Sequence, residues 1–87
     1  MATIGTFFAD GDGYTGIITT CLVQARMVLV PDRMSGGYAA LIGGSIVGHA
    51  DKLADGVTLG VQLDACVLPG RGRATLVERG GVYTLVV

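Results

Sequence analysis

The sequence predicts an all-β fold: a small antiparallel meander forming a compact barrel or a two-layer sandwich, with at most one short helical turn. Three observations predict it. The 15 glycines among 87 residues fall at intervals that punctuate β-rich runs. Inside those runs apolar residues recur with period two, as on a strand with one buried face. No stretch keeps a 3.6-residue apolar period for the length of a helix of about ten residues. Residues 1–87 read as a single all-β domain. A chain of this length buries roughly 60–65% of its unfolded surface, enough for one modest core.

The first run, Thr3 to Phe8, is a strand with Ile4, Thr6 and Phe8 on one side. Asp10-Gly11-Asp12-Gly13 follows, with two Asp-Gly pairs, the favoured chemistry of a tight hairpin turn with φ > 0. Tyr14 to Val30 is long. From Cys21 its odd positions Cys21, Val23, Ala25, Met27 and Leu29 are apolar, while Gln24 and Arg26 are polar. Its earlier part, Tyr14 to Thr20, is either a separate strand or a bent continuation through a bulge. Pro31-Asp32 ends the run, because proline has no N–H for a ladder. Arg33 to Gly37 is a loop. Tyr38 to Ile42 and Ser45 to His49 form a second hairpin around Gly43-Gly44.

Asp51 to Asp55 is polar and reads as one helical turn or a loop. In Val57 to Leu63 the residues Val57, Leu59, Val61 and Leu63 are expected to face inward. Pro69 to Gly72 is a turn. Ala74 to Val77 and Val82 to Val87 are the last pair, joined through Arg79-Gly80-Gly81. The closing Tyr83-Thr84-Leu85-Val86-Val87 is too apolar for a free edge and is expected to pair inside the sheet.

Charge and hydropathy narrow the function. The chain is 51% hydrophobic and 15% charged, with a net charge of −1. A general duplex-DNA binder carries a basic excess, and a DNA mimic a strongly acidic one. Neither field is present. The apolar excess leaves surface for a partner, either another copy or a different protein. The opening residues alternate instead of forming a positive stretch before a long apolar one, and the longest apolar runs are too short for a membrane helix. The expectation is a cytoplasmic protein without a membrane partner. Cys21 and Cys66 are expected as reduced thiols packed in the core.

Several segments imitate functional motifs. Gly11-Asp12-Gly13-Tyr14-Thr15-Gly16 matches G-x-G-x-x-G, but Ile17 to Thr20 is β-branched, and the dinucleotide fingerprint needs a helix there. Asp10 and Asp12 resemble the start of a calcium loop whose closing Glu position is occupied by Cys21. His49 is the lone histidine, and no paired metal-ligand spacing accompanies it. Neither a cofactor nor a catalytic set is expected. Gly70-Arg71-Gly72-Arg73 is the clustered basic feature, suited to an acidic protein surface or a phosphate. This loop and Pro31 to Gly37 are the expected binding loops, with Asp32, Arg33, Arg71 and Arg73 as the partner-binding residues.

The chain is similar to domain-of-unknown-function family 736. These are small proteobacterial proteins often carried by plasmids and integrating elements. The matching blocks are the opening MATIGTF, then GYTG and a β-rich run ending in VP, then Gly43-Gly44 with Ile46-Val47-Gly48. Val61-Gln62-Leu63-Asp64, Ala74-Thr75-Leu76-Val77-Glu78 and a closing Tyr-containing strand complete the match. Where the family carries a Trp-Lys-Lys stretch, this chain has His49-Ala50-Asp51-Lys52. The resemblance implies a mobile-element or phage protein. Together with the missing catalytic pattern, it leads to the expectation of a non-enzymatic inhibitor of the anti-CRISPR type that occludes a host defence complex. The alternative is a nucleic-acid-binding accessory in plasmid transfer or maintenance, resting on Arg71 and Arg73.

Overall fold

Eight strands follow the β-rich runs: β1 (Thr3–Asp10), β2 (Gly13–Thr19), β3 (Gln24–Pro31), β4 (Tyr38–Ile42), β5 (Ser45–Lys52), β6 (Leu59–Leu63), β7 (Arg73–Arg79) and β8 (Val82–Val86). The computed structural model describes residues 2–70 and 72–87. Each strand pairs antiparallel with its neighbours in sequence, and β8 returns to β1. The sheet therefore closes into an up-and-down barrel. The β1–β8 pairing decides between barrel and sandwich, and it gives the apolar last strand two partners.

Three two-residue turns set the register. Between β1 and β2 the central residues are Gly11 and Asp12, and Gly11 alone has positive φ, at 60°. The turn thus uses a leading glycine instead of an Asp-Gly pair. Gly43-Gly44 and Gly80-Gly81 have positive φ at both positions, as a type I′ hairpin requires.

The run Tyr14 to Val30 is two strands. They part at Thr20, whose Oγ1 accepts the N–H groups of Leu22 and Val23, each at 3.1 Å. Asp51 and Lys52 extend β5 instead of starting a helical turn. The chain then turns at Leu53, whose carbonyl accepts the Gly56 N–H at 2.9 Å. Val57 falls in this loop and is 65% exposed, so the inward alternation starts at Leu59.

An eight-stranded barrel is just wide enough for side chains to fill it. This one is filled by placing small residues beside large ones. Phe7 faces Gly16, Leu29 faces Ala40, Leu63 faces Gly48, and Val61 lies between Ala50 and Ala74. The Phe7–Gly16 pair is the tightest. A Cβ on Gly16 would lie 2.6 Å from Phe7 Cγ and would also run into the Thr6 carbonyl oxygen. Phe7, Ile18, Met27, Leu29, Leu76 and Leu85 are fully buried, and the described core contains no buried polar side chain.

The two ends of the barrel are closed differently. At one end Tyr14 packs edge-on against Tyr38 and Tyr83, with ring centroids 5.6 Å and 4.8 Å away. Burial, then the Tyr38 and Tyr83 phenols, raise the Tyr14 pKa above the usual tyrosine value. At the other end Val67, from the loop between β6 and β7, is buried. Thr20 Oγ1 donates to the Val67 carbonyl at 2.6 Å and ties the β2–β3 loop to this plug.

Cys21 and Cys66 flank that tie and correct the expectation of core thiols: both are free and exposed. Cys21 has the parity of the buried face but lies beyond the start of β3, where the chain has already turned outward. A chromogenic aromatic disulfide should therefore titrate both thiols of the native protein as fast as in denaturant. A thiol that reacts only after unfolding would contradict this placement.

Candidate functional site

The outer surface of the barrel divides into two regions that meet along β4 and β5. On the first, the outward positions of successive strands align as Phe8, Thr15, Val28, Leu41 and Ile46. Phe8 is 54% exposed and Ile46 70% exposed. Ile17 and Val30, also exposed, extend this row toward either end. Arg26, opposite Ile17, is its charged neighbour at the β2–β3 end. A closed barrel satisfies its backbone within the sheet, so outward side chains are free to follow function instead of folding.

The second region is polar. The Val30 row continues through Ala39 to His49, then Gln62, then Arg73. His49 and Asp51 lie two residues apart on β5 and so share its outer face. His49 Nε2 lies 3.3 Å from Asp51 Oδ1 and 3.3 Å from Ser35 Oγ, the latter from the β3–β4 loop. These three residue types are those of a catalytic triad, but both contacts fall on the same ring nitrogen. A proton relay uses one nitrogen toward the nucleophile and the other toward the carboxylate, so this arrangement anchors the loop and lacks relay geometry.

Beside this cluster a groove of about 490 Å³ runs across β5, β6, β7 and the end of β8. His49, Asp51, Gln62, Arg73 and Thr75 line it, with Leu53 and Val86 as apolar walls. Leu53 packs over Gly60, where a Cβ would lie 2.9 Å from Leu53 Cδ2, and the last residue, Val87, also lines the groove.

The expected binding residues separate. Asp32 and Arg33 lie at the tyrosine end, where they line a smaller cleft with Tyr38 and Lys52. Asp32 is chiefly a turn residue: its Oδ1 accepts the Met34 N–H at 3.1 Å and the Ser35 N–H at 3.4 Å. The Ser35 hydroxyl and then the Met34 amide lower its pKa, with a smaller contribution from His49. Asp55 builds the same kind of turn, held below the usual carboxylate range first by the Thr58 hydroxyl. Arg73 lies on the outer face of β7 and makes no ion pair among the described residues. Arg71 lies outside the described residues. Asp32 and Arg73 are linked only indirectly, through Ser35, His49 and Gln62.

Sequence reading missed the apolar row and the Ser35–His49 contact. The row had a local signal: Phe8, Val28, Leu41 and Ile46 are apolar residues on the alternate parity of runs whose other parity is also apolar. The Ser35 contact joins a loop to a strand and leaves no local trace. Compared with protein-family models, curated proteins and solved structures, the chain matches none of them.

Proposed function

We propose that this protein is a non-enzymatic binding factor that covers a partner protein's surface with the outer face of β1–β5. One observation carries the reading: the five-strand row Phe8–Thr15–Val28–Leu41–Ile46 lies directly in register on the outer face, with the apolar Phe8 and Ile46 exposed at its ends and the half-buried Thr15, Val28 and Leu41 between them. Contiguous apolar surface is uncommon on monomers beyond a few hundred Å² and marks interaction sites. The polar row His49–Gln62–Arg73 borders it, giving the apolar centre and polar rim of a protein–protein interface. Arg73, expected among the binding residues, is part of that rim; Asp32 and Arg33 sit at its tyrosine-end corner.

The proposed partner is a host defence complex, with CRISPR effectors the first candidates. That setting rests on the sequence resemblance of the MATIGTF and GYTG blocks alone, since no family model matches the chain. A net charge of −1 favours occlusion by an apolar face over imitation of DNA. Nucleic acid is the less favoured partner, because Asp51 shares the groove with Arg73.

The experiment is expression of the protein in bacteria with an active CRISPR system, alongside binding to the purified effector complexes. The expected result is loss of interference and a stable complex. Full interference together with no binding to any of the purified effectors would remove the CRISPR assignment.

A further inference from the structure

We propose that Cys21 and Cys66 are a reactive dithiol, which a small-molecule disulfide of the glutathione class oxidises to an internal disulfide across the plugged end of the barrel. This modification site lies on loops outside the apolar face and does not depend on the partner-binding reading.

The placement of the pair comes from one hydrogen bond. Thr20 Oγ1 donates to the Val67 carbonyl at 2.6 Å, joining the β2–β3 loop to the β6–β7 loop. Cys21 follows Thr20 and Cys66 precedes Val67, so each thiol is one residue from the tie. A hydroxyl oxygen and a carbonyl oxygen each lie roughly 2.4 Å from their own Cα, which holds the Thr20 and Val67 Cα atoms within about 8 Å. One further residue adds at most about 3.8 Å on each side. Disulfide formation needs Cα atoms about 4.4–6.8 Å apart. The two cysteines reach that window when their turns lean together over the tie.

The turns can do so without opening the barrel. The β2–β3 ladder ends at Thr19 and Gln24, β6 ends at Leu63, and β7 begins at Arg73. Cys21 and Cys66 therefore lie outside every strand ladder. Each sits on a short turn closed at its base. The Thr20 N–H donates to the Val23 carbonyl at 2.8 Å, and the Val67 N–H to the Asp64 carbonyl at 2.9 Å. Both thiols are exposed, so an oxidant reaches either of them.

The exchange balances in two steps. One cysteine thiolate attacks the small disulfide, forms a mixed disulfide and releases one small thiol. The second cysteine thiolate attacks the protein-side sulfur of that mixed disulfide, and the second small thiol leaves. The protein loses two electrons and two protons, and the small disulfide becomes two thiols. The closed ring spans about half of the chain and fixes the Val67 plug covalently to the β2–β3 loop. In a reducing compartment such a bond is transient and reports a rise in oxidant.

The test uses the reduced full chain and oxidised glutathione, read by intact mass and peptide mapping. The expected product is a monomer lighter than the reduced chain by two hydrogens. It carries no glutathione adduct, and its Cys21 and Cys66 peptides are joined. Ring closure from the mixed disulfide should be about tenfold or more faster in the native chain than in urea, because the tie raises the effective concentration of the second thiol. Cys21→Ser and Cys66→Ser should each stop at a single stable glutathione adduct. Thr20→Val removes the tie and should slow closure severalfold, with circular dichroism showing the barrel intact. Both cysteines are exposed, so the serine variants leave the core untouched and carry the test if Thr20→Val does not fold. A native chain that keeps two adducts, oxidises chiefly to a covalent dimer, or closes no faster than in urea overturns the proposal.

Discussion

Charge placed at Phe8 and Ile46 should abolish partner binding while leaving the barrel folded. These residues mark the two ends of the apolar row, on β1 and β5, and both point outward. Their exposure of 54% and 70% means that an arginine at either position keeps its charge in water, so the fold loses little. Exposed substitutions of this kind usually change stability by about 0.5 kcal/mol or less. In a complex the same arginines would be desolvated against apolar surface without a counter-charge. An interface hot spot lost in this way costs about 2 kcal/mol or more, some thirtyfold in affinity per site. The Phe8→Arg/Ile46→Arg double variant should therefore unfold at nearly the wild-type denaturant midpoint yet fail to protect in the interference assay. Retained binding by a folded double variant would move the interface off this face.

Adding one methyl to the barrel interior should be as damaging as deleting a whole aromatic ring. Phe7→Ala removes a fully buried ring, a change that costs about 3–5 kcal/mol. At roughly 0.05–0.15 kcal/mol per residue a domain of 87 residues has about 4–13 kcal/mol of stability, so that loss is about a quarter to all of it. Gly16→Ala adds a single carbon at a position where the Thr6 carbonyl and the Phe7 Cα, at 2.8 Å, already occupy the space. The obstruction is backbone, so rotamer changes cannot relieve it and β1 must move away from β2. Removing the Phe7 ring leaves those backbone atoms in place. The Phe7→Ala/Gly16→Ala protein should therefore be less stable than either single variant. Urea denaturation followed by circular dichroism measures all three. A Gly16→Ala midpoint equal to wild type would mean that β1 and β2 do not approach this closely.

These two experiments address opposite surfaces of the same strands, and the two surfaces were unequally legible in the sequence. In β3 the inward set Met27 and Leu29 was visible as period two, because Gln24 and Arg26, at the start of the opposite parity, are polar. In β1 both parities carry apolar residues, and the pattern alone does not say whether Phe7 or Phe8 is inside. The structure places Phe7 inside because Gly16 opposite it leaves room for a ring, and Phe8 outside opposite Thr15. Cys21 and Val57 show the reverse failure. Each continues a correct alternation past the end of its strand, where parity no longer specifies a face.

Local chemistry alone determined the all-β class, the hairpin turns at Gly11, Gly43-Gly44 and Gly80-Gly81, and most strand limits. Turn residues and period-two burial act over a few residues, so a linear reading captures them. The closed barrel, the burial of Phe7 instead of Phe8, the Ser35–His49 contact and the exposed row from Phe8 to Ile46 were decided only in three dimensions. Each depends on which strands become neighbours, above all on β8 pairing with β1 across nearly the whole chain. Registry between distant strands is a property of the closed sheet, and no single strand contains it.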